Sequence, residues 1–326
     1  MSFSTRIVRQ ASLAFFSICI GSAAVAQSYP EKPIRMIVPF TPGGGTDLIT
    51  RAIAQGLTDK LKWDIVVENR PGAGGNIGVD TAAKANPDGY TVVMGQTSNL
   101  AINPTLYTNL PYAPERDLAP IALVAMSPIA MAVGADSPYK TFDDIVVAAR
   151  KNPGTVSVGF SGNGTVSHLT SEILQKAAGI KLMQVPYKGA AQAMTDLMGG
   201  RIDIYMSSVP TLLGHVRSGK LRAIAVTSKT RSGVLPDIPS VSEFDGLKDF
   251  EAVTWFGLLT TAGAPKAIVT QFNKAVLDVV KDPNIIKKLN AEGSEMLGGT
   301  PVDFSKRIAA DTALWGKIIQ DAGIKN

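Results

Sequence analysis

The sequence predicts an α/β protein of two doubly wound lobes, and three observations carry that prediction. Apolar strand-like runs alternate with helix-periodic segments in two separate series. In both series, turns rich in glycine and hydroxyl residues join strand to helix. Two long apolar stretches, 121–135 and 253–260, read as strands along which the chain crosses between lobes. The 326 residues suffice for two cores, and 45% hydrophobic against 18% charged residues excludes a disordered chain. The expected division is a leader over residues 1–26, a discontinuous first lobe over 27–125 and 252–326, and a second lobe over 126–251.

The leader is read from Arg6 and Arg9, the apolar run 11–21 and Ala24-Val25-Ala26, which fits a cleavage site before Gln27. Cys19, the single cysteine, falls inside that run, so the mature chain is expected to have no disulfide and no thiol chemistry. Export from the cytoplasm is expected from the leader, with an uncleaved membrane anchor as the alternative. No later stretch is long enough to span a bilayer.

The first strand ends in PFTPGGGTD (residues 39–47), and a helix with a one-sided apolar stripe follows over 48–60. A helix start carries unpaired N–H groups and the positive end of the helix dipole. Glycines let an anion approach them, so this turn is a candidate anion cradle. Residues 64–68 read as a strand, and NRPGAGGNIG (69–78) is a second glycine-rich turn into a helical segment, 79–85. The third strand, 90–96, ends in Thr97-Ser98-Asn99, polar residues where an open α/β sheet takes its ligands. After an irregular stretch, 103–120, the apolar run 121–135 is expected to break at Ser127-Pro128.

The second series gives a helix over 141–151, a strand over 156–160, the turn SGNGT and a helix over 167–178. A strand over 183–186 and the segment YKGAAQA lead to a helix over 194–198. The strand 202–206, helix 209–218 and strand 221–227 complete it, and the tail is helical over 266–281 and 301–320. No repeat and no low-complexity segment interrupts the pattern.

Several chemistries are excluded or weakened. The net charge is +5, falling to +3 without the two leader arginines, and it is too diffuse for nucleic acid. Glycines at 72, 74 and 78 miss the dinucleotide-binding spacing, so no cofactor is expected. Two distant histidines and no clustered carboxylates do not make a metal site. GFSGN (159–163) departs from the nucleophile-elbow pattern only at its last position. His168, on the helix that leaves the same turn, is badly placed to act as base for Ser161. Ser161 therefore reads as a hydroxyl donor beside open amides, with a secreted serine hydrolase as the alternative.

What remains is one device used repeatedly: TPGGGTD, SGNGT and PYKGAA each set small or hydroxyl residues at a strand-to-helix turn. Across a cleft they would offer helix N-termini to the ends of a small dianion. Asp47 is expected to cap or compensate the first helical turn, with its charge turned away from the ligand. His168 by itself reads as a local hydrogen-bonding residue, and His215 as a cation near a helix C-terminus.

At these residues the chain resembles the Bug family, the periplasmic receptors of tripartite tricarboxylate transporters. The segments that carry the resemblance include YPEKPIRMIVPFTPGGGTD, VVENRPGAGGNIG, ANPDGYT, GFSGNGTVSHL, VPYKGAAQAMTDLMGGRID and LPDIPSVSE, in order and across the mature chain. The resemblance implies a type II periplasmic-binding (Venus flytrap) architecture and a receptor rather than an enzyme. It implies an interlobe cleft for a small organic carboxylate: a di- or tricarboxylate, an acidic amino acid or an aromatic acid. It also implies a monomer that hands its ligand to the membrane subunits of such a transporter, with a receptor serving a signalling partner as the other reading. Carried over by position, the ligand-binding residues are Phe40, Gly43, Gly44, Thr46 and Asp47 on the first loop. Ser161, Gly162, Gly164, Thr165 and His168 lie on the second, with Gly189, Ala190 and Asp203 nearby. Thr97, Ser98 and Asn99 join them from the strand-end argument. The chain departs from many members of the family at Gly45, a third glycine in the first loop.

Overall fold

A computed structural model describes residues 29–324, so the leader, Cys19 and the cleavage after Ala26 lie outside the described residues. Contacts divide the chain between Glu31 and Lys32, and the helices and strands among the described residues belong to the unit that begins at Lys32. Its first series is β1 (Ile34–Val38), α1 (Gly45–Leu61), β2 (Ile65–Asn69), α2 (Asn76–Ala83) and β3 (Thr91–Gln96). A link holding α3 (Asn103–Leu106) and α4 (Pro114–Asp117) leads into the 17-residue strand β4 (Leu118–Gly134). The second series is α5 (Phe142–Lys151), β5 (Ser157–Phe160), α6 (Val166–Ala178), β6 (Met183–Pro186), α7 (Ala190–Met198), β7 (Ile204–Ser208), α8 (Val209–Arg217) and β8 (Leu221–Val226). The chain returns through β9 (Val253–Thr261) and ends in α9 (Lys266–Val280), α10 (Pro283–Ala291), β10 (Glu295–Met296) and α11 (Pro301–Ala322).

The strands form one mixed sheet in the order β2-β1-β3-β9-β4-β7-β5-β6, with β8 and β10 also paired to β4. β1 runs parallel to β2 and β3, and β5 runs parallel to β6 and β7. The strands β4 and β9 are antiparallel to each other, β9 to β3 and β4 to β7 and β8. The doubly wound parallel pattern therefore holds within each half of the sheet, and antiparallel strands join the halves. β4 is shared: up to Pro128 it pairs with β9, and from Ile129 onward with β7 and β8. The return passage is tied beside it, where Thr227 receives the N–H of Ala252 and gives its own to Ile129.

The strand does not stop at Ser127-Pro128 as the sequence suggests. Proline has no N–H to give a ladder, and Pro128 sits at the point where β4 exchanges one set of partners for the other. β4 also begins earlier than expected, at Leu118, and α7 begins at Ala190 instead of residue 194. α10 lies in the stretch after 253–260 that reads as helical, with an Asp282 cap and Leu289 on its buried face, whereas the two-residue β10 is too short to leave a pattern.

Burial explains why these segments take these forms. Ile34, Met36, Ile37 and Val38 of β1 are fully buried, as expected of a parallel strand covered on both faces. On α11, Phe304, Ile308, Trp315 and Ile319 form the buried stripe, behind a capping box of Thr300 and Asp303. α11 locks onto the crossing strand β9: the indole N–H of Trp255 donates to Asp311 at 2.5 Å, and its ring meets Phe304 edge-on.

Candidate functional site

The parallel strands β1, β3, β5 and β7 all deliver their carboxyl ends to one place. There the structure holds a cavity of about 60 Å³. Its walls are Phe40, Gly44, Gly45 and Thr46 after β1, Gln96 at the end of β3, and Ser161, Thr165, Val166 and Ser167 after β5. Ala190 opens α7, Ser207, Ser208 and Thr211 span the β7–α8 junction, and Ile129 and Thr254 come from the two crossing strands. None of these side chains carries a formal charge. Four helix N-termini meet here, with N-caps at Gly44, Thr165, Gly189 and Ser208. Each contributes the equivalent of about half a positive charge from its aligned peptide dipoles. An uncharged lining with a positive field is suited to an anion that needs no counter-cation.

The first loop divides its work residue by residue. Gly43 has φ +80°, and its N–H is given to Asp47 Oδ2 at 3.0 Å. Gly45 N–H is given to Thr211 Oγ1 at 2.9 Å, across the cavity. Two of the three glycine amides are thus already engaged, a correction to a cradle made of the whole glycine run. Gly44 lines the cavity in extended conformation at φ −78°. Asp47 is buried, and besides Gly43 it accepts Asn69 Nδ2 at 2.9 Å and Arg51 Nε at 3.0 Å. Burial alone would raise its pKa, but the bonds from Arg51, Gly43 and Asn69 outweigh it and hold the carboxyl below its ordinary value. Asp47 therefore fastens the loop, with its charge directed at Arg51 and away from the cavity.

On the second loop, Ser161 Oγ lies 2.6 Å from the hydroxyl of Tyr205, a fully buried residue whose pKa is raised by burial. Thr165 caps α6 by accepting His168 N–H at 3.3 Å and donates its hydroxyl to Gly162 O at 2.8 Å. His168 does not reach the cavity. Its Nδ1 accepts the Gly164 N–H at 3.3 Å, its ring lies on Phe160, and burial pushes its pKa down to about 4. A neutral imidazole committed to a turn amide is a structural group, not a base for Ser161.

Other expected positions also stand apart from the cavity. Asp203 precedes β7 at the far end of the parallel strands, where it accepts the N–H and hydroxyl of Ser157 at 2.8 and 2.7 Å. Thr97, Ser98 and Asn99 are fully buried, because the chain turns inward as soon as β3 ends. Thr97 Oγ1 accepts Trp255 N–H at 3.0 Å, and Asn99 Oδ1 accepts Gln96 N–H at 3.0 Å. Gly43 and Gly164 shape turns, and Gly189 caps α7. Of the expected residues, Phe40, Gly44, Thr46, Ser161, Thr165 and Ala190 are brought together in the cavity.

Next to it, sharing Phe40 and Ser161, lies an outer groove of about 550 Å³. Gly162 lines it, together with Gly72 to Gly75, Tyr107, Tyr187 and Lys188, the formally charged residue among the described ones that line it. Sequence reasoning missed Gln96, Ser207, Ser208, Thr211 and Thr254. The Ser-Ser-Val-Pro run at 207–210 is itself a strand end and helix cap, and that was the available mark.

Comparison with known proteins places this arrangement. The family described as the tripartite tricarboxylate transporter family receptor matches residues 49–324. Protein BugT of Bordetella pertussis is 33% identical over 319 residues, which cover 96% of this chain and 98% of BugT. The structure of the periplasmic binding protein BugD superposes with a TM-score of 0.86 at 34% identity, over 91% of this chain and 99% of that one. The R. palustris protein Rpa4515, solved with adipate, superposes with a TM-score of 0.88 at 32% identity and the same coverage.

Proposed function

The chain belongs to the tripartite tricarboxylate transporter receptor family, a family of solute-binding receptors and not of enzymes, and on that premise we propose that it is a periplasmic carboxylate receptor. The proposed molecule is exported behind a cleaved leader and closes as two lobes about β4 and β9. It delivers its ligand, as a monomer, to the membrane subunits of a tripartite transporter. The observation that carries this reading is the uncharged cavity at which four helix N-termini converge. It holds one carboxylate head group, with hydroxyls of Thr46 and Ser161 and first-turn amides as donors, while Thr165 holds the loop in shape through Gly162 and His168. The ligand's remaining part extends past Phe40 into the outer groove, where Lys188 meets a second carboxylate at the rim. The adipate in Rpa4515 is a dicarboxylate of that kind.

The test is a thermal-shift and calorimetric screen on protein stripped of co-purified ligand. The panel is mono-, di- and tricarboxylates, aromatic acids and acidic amino acids, each with its amide. Saturable binding of an acid with loss of binding for its amide is expected. Equal binding of acid and amide would contradict a site built for a negative charge.

A further inference from the structure

Two glycines of the site stand where the halves of the molecule touch, and neither needs glycine for its backbone. Gly189 caps α7 with φ 179°, an extended conformation open to any residue. Gly45 is the first residue of α1 and has no left-handed φ. What both exclude is a side chain. A Cβ on Gly189 would lie 2.4 Å from Thr41 Oγ1, 2.5 Å from Thr41 Cγ2 and 3.0 Å from Thr41 Cβ. Because both γ atoms and the β-carbon face it, no rotation of Thr41 makes room. A Cβ on Gly45 would lie 2.4 Å from Ser208 Oγ. Turning that hydroxyl away would break its contact with Thr211, which in turn receives the Gly45 N–H.

Thr41 and Gly45 follow β1 in one half of the sheet, whereas Gly189 and Ser208 lie in the other. Both contacts flank the cavity: Thr41 lines the outer groove, and Gly45 and Ser208 line the inner one. We propose that Gly189, and to a lesser degree Gly45, are closure-determining residues of the binding site. They are positioning residues that let the halves meet around the ligand, and they do so through what they lack. The proposal rests on the reading of the site as a carboxylate cleft that closes. It goes beyond that reading in assigning closure to a steric seam instead of to ligand contacts alone.

Alanine at either position leaves the separated halves undisturbed and obstructs only their contact. If the binding-competent closed state is made rarer, apparent affinity falls in proportion. The experiment measures ligand affinity by calorimetry, radius of gyration by solution scattering with and without ligand, and ligand-free melting temperature. The ligand is the tightest acid of the carboxylate panel, adipate included. The proteins are wild type, Gly45→Ala, Gly189→Ala, Thr41→Ala and the double variant Gly189→Ala with Thr41→Ala.

Gly189→Ala should keep or raise the ligand-free melting temperature, bind about tenfold or more weakly and contract less on binding. The double variant should recover most of the affinity and the contraction, because Thr41→Ala removes both γ atoms. A loss of affinity in Gly189→Ala that Thr41→Ala does not relieve would overturn the seam. So would Gly189→Ala protein that binds and contracts like wild type, and both outcomes leave the carboxylate reading standing. Wild-type protein that binds no acid of the panel would overturn both, since closure then has no trigger.

Discussion

At the scale of single residues, the proposed site rests on hydroxyls and amides, several of which already have partners. Ser161 shares its hydroxyl with Tyr205, so its proton is free for a ligand when Tyr205 donates to it. Ser161→Ala is expected to weaken ligand binding by about 1.5–3 kcal/mol, roughly 10- to 150-fold, the usual value of one hydrogen bond to a charged oxygen. Calorimetry on a variant with an unchanged melting temperature checks this, and unchanged affinity would remove Ser161 from the site. His168 makes a different prediction, about pH. Its pKa is about 4 in the folded protein against 6.5 ordinarily, so between those values the unfolded chain takes up a proton that the folded one refuses. The stability His168 contributes is complete above about pH 6.5 and is lost as pH falls toward 4, by up to about 3 kcal/mol. His168→Gln keeps an acceptor for the Gly164 amide but does not titrate. Its melting temperature should fall less steeply over that interval than the wild type's, and identical slopes would exclude a neutral buried imidazole.

At the scale of elements, the strand-to-helix turns were legible because each ends an apolar run with glycine or hydroxyl residues. What the turns do was less legible. Three adjacent glycines look alike in sequence, yet the structure gives Gly43 a left-handed turn, Gly44 a cavity wall and Gly45 a contact with the opposite half. Thr97 to Asn99 looked like a ligand-facing strand end, but a π-helical turn carries them inward, and the buried Gln96 lines the cavity in their place. Ser207 and Ser208 carried only the general mark of a strand end before a helix cap, and Thr254 carried none, because only the folded sheet brings the β7–α8 junction and β9 to the loop after β1. Gly44 gives the element-scale prediction. Its backbone is in ordinary extended space, and a Cβ there would meet only Thr41 O at 3.6 Å. Gly44→Val should therefore fold normally and lose affinity by intruding on the cavity. Gly44→Asp should lose more, by placing a like charge in a poorly hydrated site. Lys188→Ala should cost about 1 kcal/mol or less, as an exposed partner of a distal carboxylate. A Gly44→Val protein with wild-type affinity, or complete loss in Lys188→Ala, would contradict a head-group site made of dipoles.

At the scale of the whole molecule, β4 and β9 tie the two halves into one sheet while leaving a cavity at their junction. Thr254 and Ile129 line the inner cavity, whereas the adjacent Val253 and Pro128 line a separate hollow of about 660 Å³. Alternate residues of a strand face opposite sides, so the cavity and the hollow lie on opposite faces of the crossing strands. The alternation of strands and helices was readable from periodicity, and so were the two long apolar strands that became β4 and β9. The antiparallel joining of the halves was not, because strand direction leaves no mark in composition. The central claim is that a carboxylate sits among helix N-termini without a cation. A crystal structure of the protein with adipate, or with the tightest acid of the panel, tests it most directly. The expected result is one carboxylate in the inner cavity, with oxygens about 2.7–3.2 Å from Ser161 Oγ and from first-turn N–H groups of α1 and α6. A ligand held only in the outer groove against Lys188, with the inner cavity left to water, would contradict it.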